Sequence, residues 1–265
     1  MSINVFRKEL RLNRRSFLVW ASIILVVLVI YLPFFPYMQT EDYSALLEGF
    51  PDAIKDAFNM RNIIFEDINY YHAGLVMQYL LLLSAIYAAM LAGRLISRES
   101  DLNTAEFLFT RPVTRSKIFA AKVAAFLLLI LLLWALIYGT AILTATATDS
   151  GNFISSRQFW VHLSGLLAVL ATGGIAFAAA PFINQVSGTT SLGVGLGFGF
   201  FLIDAMSKVT ANLEFLKYFT VYYYAGFEDA AGGNPFTAGM LVLLLIFLAG
   251  TGLGFLFLQR KEFTG

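Results

Sequence analysis

The chain has 265 residues, of which 58% are hydrophobic and only 13% charged, with a formal net charge of +1. An ordinary soluble domain carries about twice that share of charge, so a water-facing globule is excluded and an integral membrane protein is expected. There is no cysteine, which rules out disulfides, thiolate metal sites and cysteine nucleophiles, and so small a net charge gives no reason to invoke nucleic acid.

The first element lies in SINVFRKELRLNRR, residues 2–15. Ile3, Phe6, Leu10 and Asn13 share a helical stripe, and Arg7, Lys8, Arg11, Arg14 and Arg15 fill the rest. That pattern predicts a short interfacial helix on one leaflet; a frayed basic tail that only sets topology fits the same residues. A crossing takes about 20 apolar residues. Five windows free of Asp, Glu, Lys and Arg are long enough: Ser16–Thr40, Ile68–Gly93, Val123–Thr148, Gln158–Ile203 and Ala230–Gln259. The fourth, at 46 residues, is too long for one crossing, and its middle, PFINQVSG from Pro181 to Gly188, holds the residues of a tight reversal. Six spans follow, at about 16–38, 71–97, 118–147, 159–183, 188–207 and 236–258, within one transmembrane unit covering 1–265. The first is too long for a signal-peptide core, and no small-residue cleavage site follows it.

Between the first two spans, Leu46, Leu47, Phe50, Ile54 and Phe58 recur at helical steps among acidic residues. Pro51 opens a second turn of helix there. This predicts surface helices at the outer leaflet, with a packing role set against that of a substrate lid. The segment Lys208–Pro235 is dense in Tyr and Phe. It reads as an aromatic belt, or as a pair of short helices that dip into the leaflet.

Charge tests the count. With six spans, the N-terminus, the two even-numbered loops and the C-terminus share a side that carries 13 of the 18 basic residues and 5 of the 17 acidic ones. The positive-inside rule makes that side cytoplasmic.

Within the spans, Gly193 and Gly197, Gly195 and Gly199, and Gly250 and Gly254 stand four apart, a spacing that lets helix backbones approach closely. Asp204 near the end of the fifth span is a candidate intramembrane acid, but Lys208 one turn later offers it a partner. His72 and His162 have no His, Glu or Cys at ligand spacing, and no metal site is expected. No Gly-Lys dipeptide occurs, so there is no phosphate-binding P-loop; H-E-x-x-H and G-x-S-x-G are also missing. The chain has no catalytic residues that can be named and no cofactor of its own.

One segment stands apart. Gly93–Val123 gathers nine charged residues between two apolar runs. Asn103-Thr104-Ala105-Glu106 has capping-box form and opens a helix over 104–110. Pro112 stops that helix, and Thr114 is placed to cap the third span. The result is a short amphipathic knuckle that offers Phe107, Leu108 and Phe109 to a partner. The run ISRESDLNTAEFLFTRPVTRSKIFAAK resembles the signature of ABC-2 type transporter permeases. Arg98-Glu99, Thr104-Ala-Glu106, Leu108, Arg111-Pro112-Val113-Thr114-Arg115 and Lys122 match it in order. Arg7-Lys8-Glu9-Leu10 and Arg260-Lys261-Glu262-Phe263 resemble the family's ends. Asn103 departs from it, standing where many relatives have Gly.

The resemblance implies an all-α membrane protein with a cytoplasmic coupling helix between its second and third spans and short outer re-entrant helices between its fifth and sixth. It implies a permease that works as a homodimer or heterodimer in the bacterial or archaeal cytoplasmic membrane. Separate ATPase subunits, two copies as a rule, would bind ATP and Mg. Arg98, Glu99, Asp101, Asn103, Thr104, Glu106, Phe107, Leu108, Phe109, Arg111 and Arg115 would couple the ATPase to the spans. The expected function is export of a hydrophobic or amphipathic peptide, lipid or drug. The competing readings are an ATP-independent secondary transporter or channel, which would need buried ionisable groups, and a membrane scaffold or intramembrane enzyme.

Overall fold

The structure, a computed structural model, describes residues 2–58, 60, 67–101, 114–147, 153–183 and 185–260, without the side chains of 41–44 and 99–101. Among these residues no strand occurs, and six helices are long and apolar enough to cross a membrane. In hydrocarbon no water can satisfy a peptide group, so each spanning segment must bond its own backbone, and the helix is the solution open to a chain without barrel strands. The long helices are α1 (Ile3–Tyr31), α2 (Met77–Asp101), α3 (Arg115–Ala147), α4 (Ser155–Ala179), α5 (Val186–Val209) and α6 (Thr237–Arg260).

Proline sets several boundaries. Pro33 and Pro36 tighten the end of α1 into the 3₁₀ turn Leu32–Phe34 and the short helix Phe35–Met38, because proline keeps a helical φ but supplies no N–H. Pro51 precedes the helix Asp52–Ala57, the second of two short helices in the first inter-helix segment after Glu41–Glu48. Pro181 lies in the 3₁₀ turn Ala180–Phe182 that closes α4, so the long apolar window reverses where its turn residues stand. The Lys208–Pro235 segment folds as a 3₁₀ helix, Ala211–Phe219, then Val221–Ala225 and Phe227–Ala231. The last two are joined by Gly226 at φ 53°, a left-handed angle that glycine takes without strain.

Two expectations need correction. The basic N-terminal stretch is not a separate interfacial helix: α1 runs unbroken from Ile3, since neither Pro nor Gly interrupts residues 3–31. Arg7, Lys8, Arg11, Arg14 and Arg15 are exposed on it, while its buried face centres on Glu9 and Asn13 instead of the apolar Ile3, Phe6 and Leu10. The second span also starts earlier than predicted. A helical turn, Ile68–Tyr71, leads through a π turn, His72–Val76, into α2.

Packing ranks the helices. The apolar window of the span containing α2 is 89% buried, whereas those of α1, α5 and α6 are 22%, 22% and 28% buried. The second span is therefore the axis of the bundle, and the other three turn most of their apolar surface outward. α5 and α4 pack on α2, α6 packs on α4, and α1 packs on α3. Glycine permits the closest contacts. A Cβ on Gly193 or Gly197 would come within 2.3 Å of Met90 or Ile86 of α2, and one on Gly250 or Gly254 within 2.4 Å of the backbone at Gly174 or Phe177 of α4. A Cβ on Gly195 or Gly199 meets nothing within 4 Å. Gly165 and Gly173, which the spacing argument passed over, seat the rings of Trp134 and Phe126.

Because successive helices alternate in direction, the start of α1, the end of α2, the start of α3 and the end of α6 share one end of the bundle. Basic side chains crowd it; the opposite end is mostly acidic.

Candidate functional site

At the basic end, three helices meet on one carboxylate. Glu9 and Asn13 lie one turn apart on α1, both buried. Arg98, in the last turn of α2, donates from Nη1 to Glu9 Oε2 at 3.3 Å and from Nη2 to Asn13 Oδ1 at 3.2 Å. Lys122, two turns into α3, donates from Nζ to Glu9 Oε1 at 3.1 Å and to the Leu95 carbonyl of α2. Asn13 Nδ2 returns a bond to the Glu9 carbonyl at 2.9 Å. Each carboxylate oxygen thus holds a different cation on a different helix. Lys122 and Glu9 are only 1% and 2% exposed at the side chain. A charge pair buried this deeply persists only when its remaining hydrogen-bonding capacity is also met, and here Asn13 and the Leu95 carbonyl help to meet it.

A second anchor holds the start of α3. Arg115 donates from Nη1 to the carbonyls of Leu258 at 3.4 Å and Gln259 at 3.0 Å, at the C-terminus of α6. The last carbonyls of a helix lack intrahelical donors and carry its negative dipole end, so a guanidinium is well placed there. Thr114 precedes α3 as expected, and its carbonyl accepts from the Lys117 and Ile118 N–H groups. Ser97 Oγ donates to the Ala180 carbonyl at 3.4 Å, tying the end of α2 to the turn after α4.

These contacts frame the charged segment. Of the predicted coupling residues, Arg98 and Arg115 stand on its two stems, one held by α1 and the other by α6. Glu99 and Asp101 lie on the last turn of α2, their side chains outside the description. Asn103, Thr104, Glu106, Phe107, Leu108, Phe109 and Arg111 fall outside the described residues. The sequence reading missed the central role of Glu9 and Asn13. A polar pair at a four-residue spacing within an otherwise basic helix is the signal that marks them.

The acidic end is polar in a different way. Asp67 Oδ1 accepts from the Asn69 backbone N–H at 2.8 Å and from Asn69 Nδ2 at 2.7 Å. Asn69 Oδ1 in turn accepts from Ile154 N at 2.9 Å and Gln158 Nε2 at 3.2 Å, joining the second span to α4. His72 and His162, unrelated in sequence, stack with ring centroids 5.1 Å apart; among the described residues no three His, Asp or Glu side chains are placed to hold a metal ion. Asp204 is buried and accepts from Lys208 Nζ at 2.7 Å, the i,i+4 partner that its position offered. Tyr222 donates to the Gln78 carbonyl at 3.3 Å. Burial holds the Tyr222 phenol well above its ordinary range, and the neighbouring Asp204 charge pushes the same way, so it stays a donor.

Six apolar helices with ionic groups concentrated at their ends define a multi-pass helical membrane protein. A family model described as ABC-2 family transporter protein matches residues 3–263, and the chain belongs to that family. It is the membrane subunit of an ABC transporter, a kind of subunit that associates with an ABC ATPase and is not itself catalytic. No curated protein matches the chain.

Proposed function

We propose that this chain is the permease of an ABC exporter, moving a hydrophobic or amphipathic peptide, lipid or drug with energy from ATP bound, with Mg, and hydrolysed in a separate subunit. The basic end faces the cytoplasm, where the residue 102–113 segment docks the ATPase. The observation that carries the reading is the double anchoring of that segment's stems: Arg98 to Glu9 of α1, and Arg115 to the carbonyls of α6. A push on the segment is then delivered to α1, α2, α3 and α6 together. Coupling requires that ATPase closure favour one arrangement of these helices over another, and stiff ionic anchors transmit such a preference where a slack loop would absorb it.

A functional unit of two permeases and two ATPases fits the outward-facing surface of α1, α5 and α6. Gly195 and Gly199 lie on α5 with open space above them, where a second permease could seat its backbone closely. The substrate path then runs along the interface between permeases, closed at the outer side by the short helices between α5 and α6.

The test is co-purification. Glu106→Arg, or Phe107→Asp combined with Leu108→Asp, is expected to leave membrane insertion intact and abolish recovery of the ATPase with the tagged permease. Undiminished ATPase recovery with both variants would remove the docking site from the proposal.

A further inference from the structure

Five cations stand near the start of α1 without a counter-ion. Arg7, Lys8, Arg11, Arg14 and Arg15 are exposed, and among the described residues none of these side chains makes an ion pair or a hydrogen bond. At about 100° per residue they share an arc of about 120°, centred opposite the buried Glu9 and Asn13. Arg11 has a cation three and four residues away on both sides, and like charges at those spacings repel along a helix. The first turn of α1 holds no acid, and the positive end of the helix dipole disfavours cations there. Setting topology takes basic residues near a span end, on any face; it does not take five on one face around Arg11. Such a face calls for an anion from outside the bundle.

The neighbouring apolar surface says where that anion comes from. On the same arc, further along α1, stand Leu18, Val26 and Val29, exposed at 51%, 55% and 48%. An uncovered apolar face on a spanning helix lies against acyl chains. Arg14 and Arg15 adjoin this band, at the depth where chains give way to headgroups. Arg11 stands one turn further out. Arg7 and Lys8 lie about 10 Å from Arg14 and Arg15 along the axis, within about one Debye length of the charged surface. A second copy of this chain would bring an identical cationic stripe and is disfavoured as the occupant.

We propose that this stripe binds the headgroup phosphates of anionic phospholipids, with Arg11, Arg14 and Arg15 in contact and Arg7 and Lys8 drawing the lipid in. Guanidinium groups suit the task because their fork of N–H donors matches phosphate oxygens. The inference goes beyond the transporter reading and needs only that the six helices cross a bilayer. It makes acidic lipid the neutralising partner of a helix whose opposite face holds the Glu9 junction.

The chain has no cysteine, so Leu18→Cys takes a single bimane label beside the stripe. The labelled full chain in phosphatidylcholine vesicles is titrated with phosphatidylglycerol or phosphatidylcholine that bears a nitroxide near the headgroup. The phosphatidylglycerol quencher is expected to act at about fivefold lower content than the phosphatidylcholine one. That preference should vanish with Arg11→Gln/Arg14→Gln/Arg15→Gln. It should be much weaker with the label at Leu256→Cys, an exposed position near the same end on α6. Glutamine keeps nearly the helix propensity of arginine, and a monodisperse gel-filtration profile checks the fold. Both leaflets carry the same lipids, so orientation in the vesicle does not alter the reading. Equal quenching by the two lipids at position 18, an unchanged preference in the triple variant, or an equal preference at position 256 would overturn the proposal. Weak quenching by both lipids at position 18 would overturn it too and assign the face to a protein partner. No ATP or ATPase is present, so failure here is distinct from a failure of the docking test.

Discussion

Glu9 is the residue on which the basic end depends. Glu9→Gln would leave the Lys122 ammonium buried at 1% exposure and Arg98 short of its charge partner. Removing one member of a buried pair costs about 3–5 kcal/mol, so a large fall in the thermal denaturation midpoint is expected. Adding Lys122→Met removes the stranded charge and is expected to recover part of that loss; a double variant no more stable than Glu9→Gln would show that Lys122 does not depend on Glu9. Little of this was legible in the sequence. Arg98 and Lys122 were visible as motif positions, but Glu9 lies 113 residues from Lys122, and no local period encodes a partner that distant. The stack of His72 on His162 was hidden for the same reason, whereas Asp204 and Lys208, one turn apart, could be paired on sight.

At the scale of the helix, five of the six expected spans end within a few residues of the long helices, while the first helix begins at Ile3, well before the expected start at about 16. Helix continuity was harder to see. Basic residues before Ser16 suggested a separate interfacial piece, yet an unbroken helix can carry charge on its outer faces while it turns Glu9 and Asn13 inward. Glycine spacing located the close helix contacts but could not say which face of α5 meets α2, because residues two apart on a helix point away from one another. The difference is measurable. Gly250→Ala forces a Cβ against the Gly174 backbone and is expected to destabilise by about 1–3 kcal/mol. Gly252→Ala meets nothing within 4 Å and is expected to be neutral or stabilising by up to about 1 kcal/mol. On α5, Gly195→Leu is expected to leave the single permease as stable as before while weakening permease pairing, as read by cross-linking. Unchanged pairing would free that face for lipid.

For the molecule as a whole, the proposed orientation rests on six crossings and the charge imbalance between loops under the positive-inside rule. The chain's lack of cysteine makes single-cysteine labelling clean. A cysteine at Ser100 is expected to resist an impermeant thiol reagent in intact cells, and one at Glu214 to react. The reverse pattern would invert the topology, and with it the docking proposal. Composition alone carried the membrane class, and one charged segment carried the family. What composition could not carry was the division of labour between the ends, which depends on contacts made across the bundle.

The π turn at His72–Val76 bears on that division. A π turn holds one residue more than the helix on either side of it, and one residue of α-helix is about 100° of rotation. Rewinding this segment as α-helix with every residue kept would leave Arg98 facing Glu9 while swinging everything before the turn, His72 and Asn69 included, about 100° away from α4. The second span therefore carries two angular settings along one rod, and this bulge is the joint at which they can be reset separately.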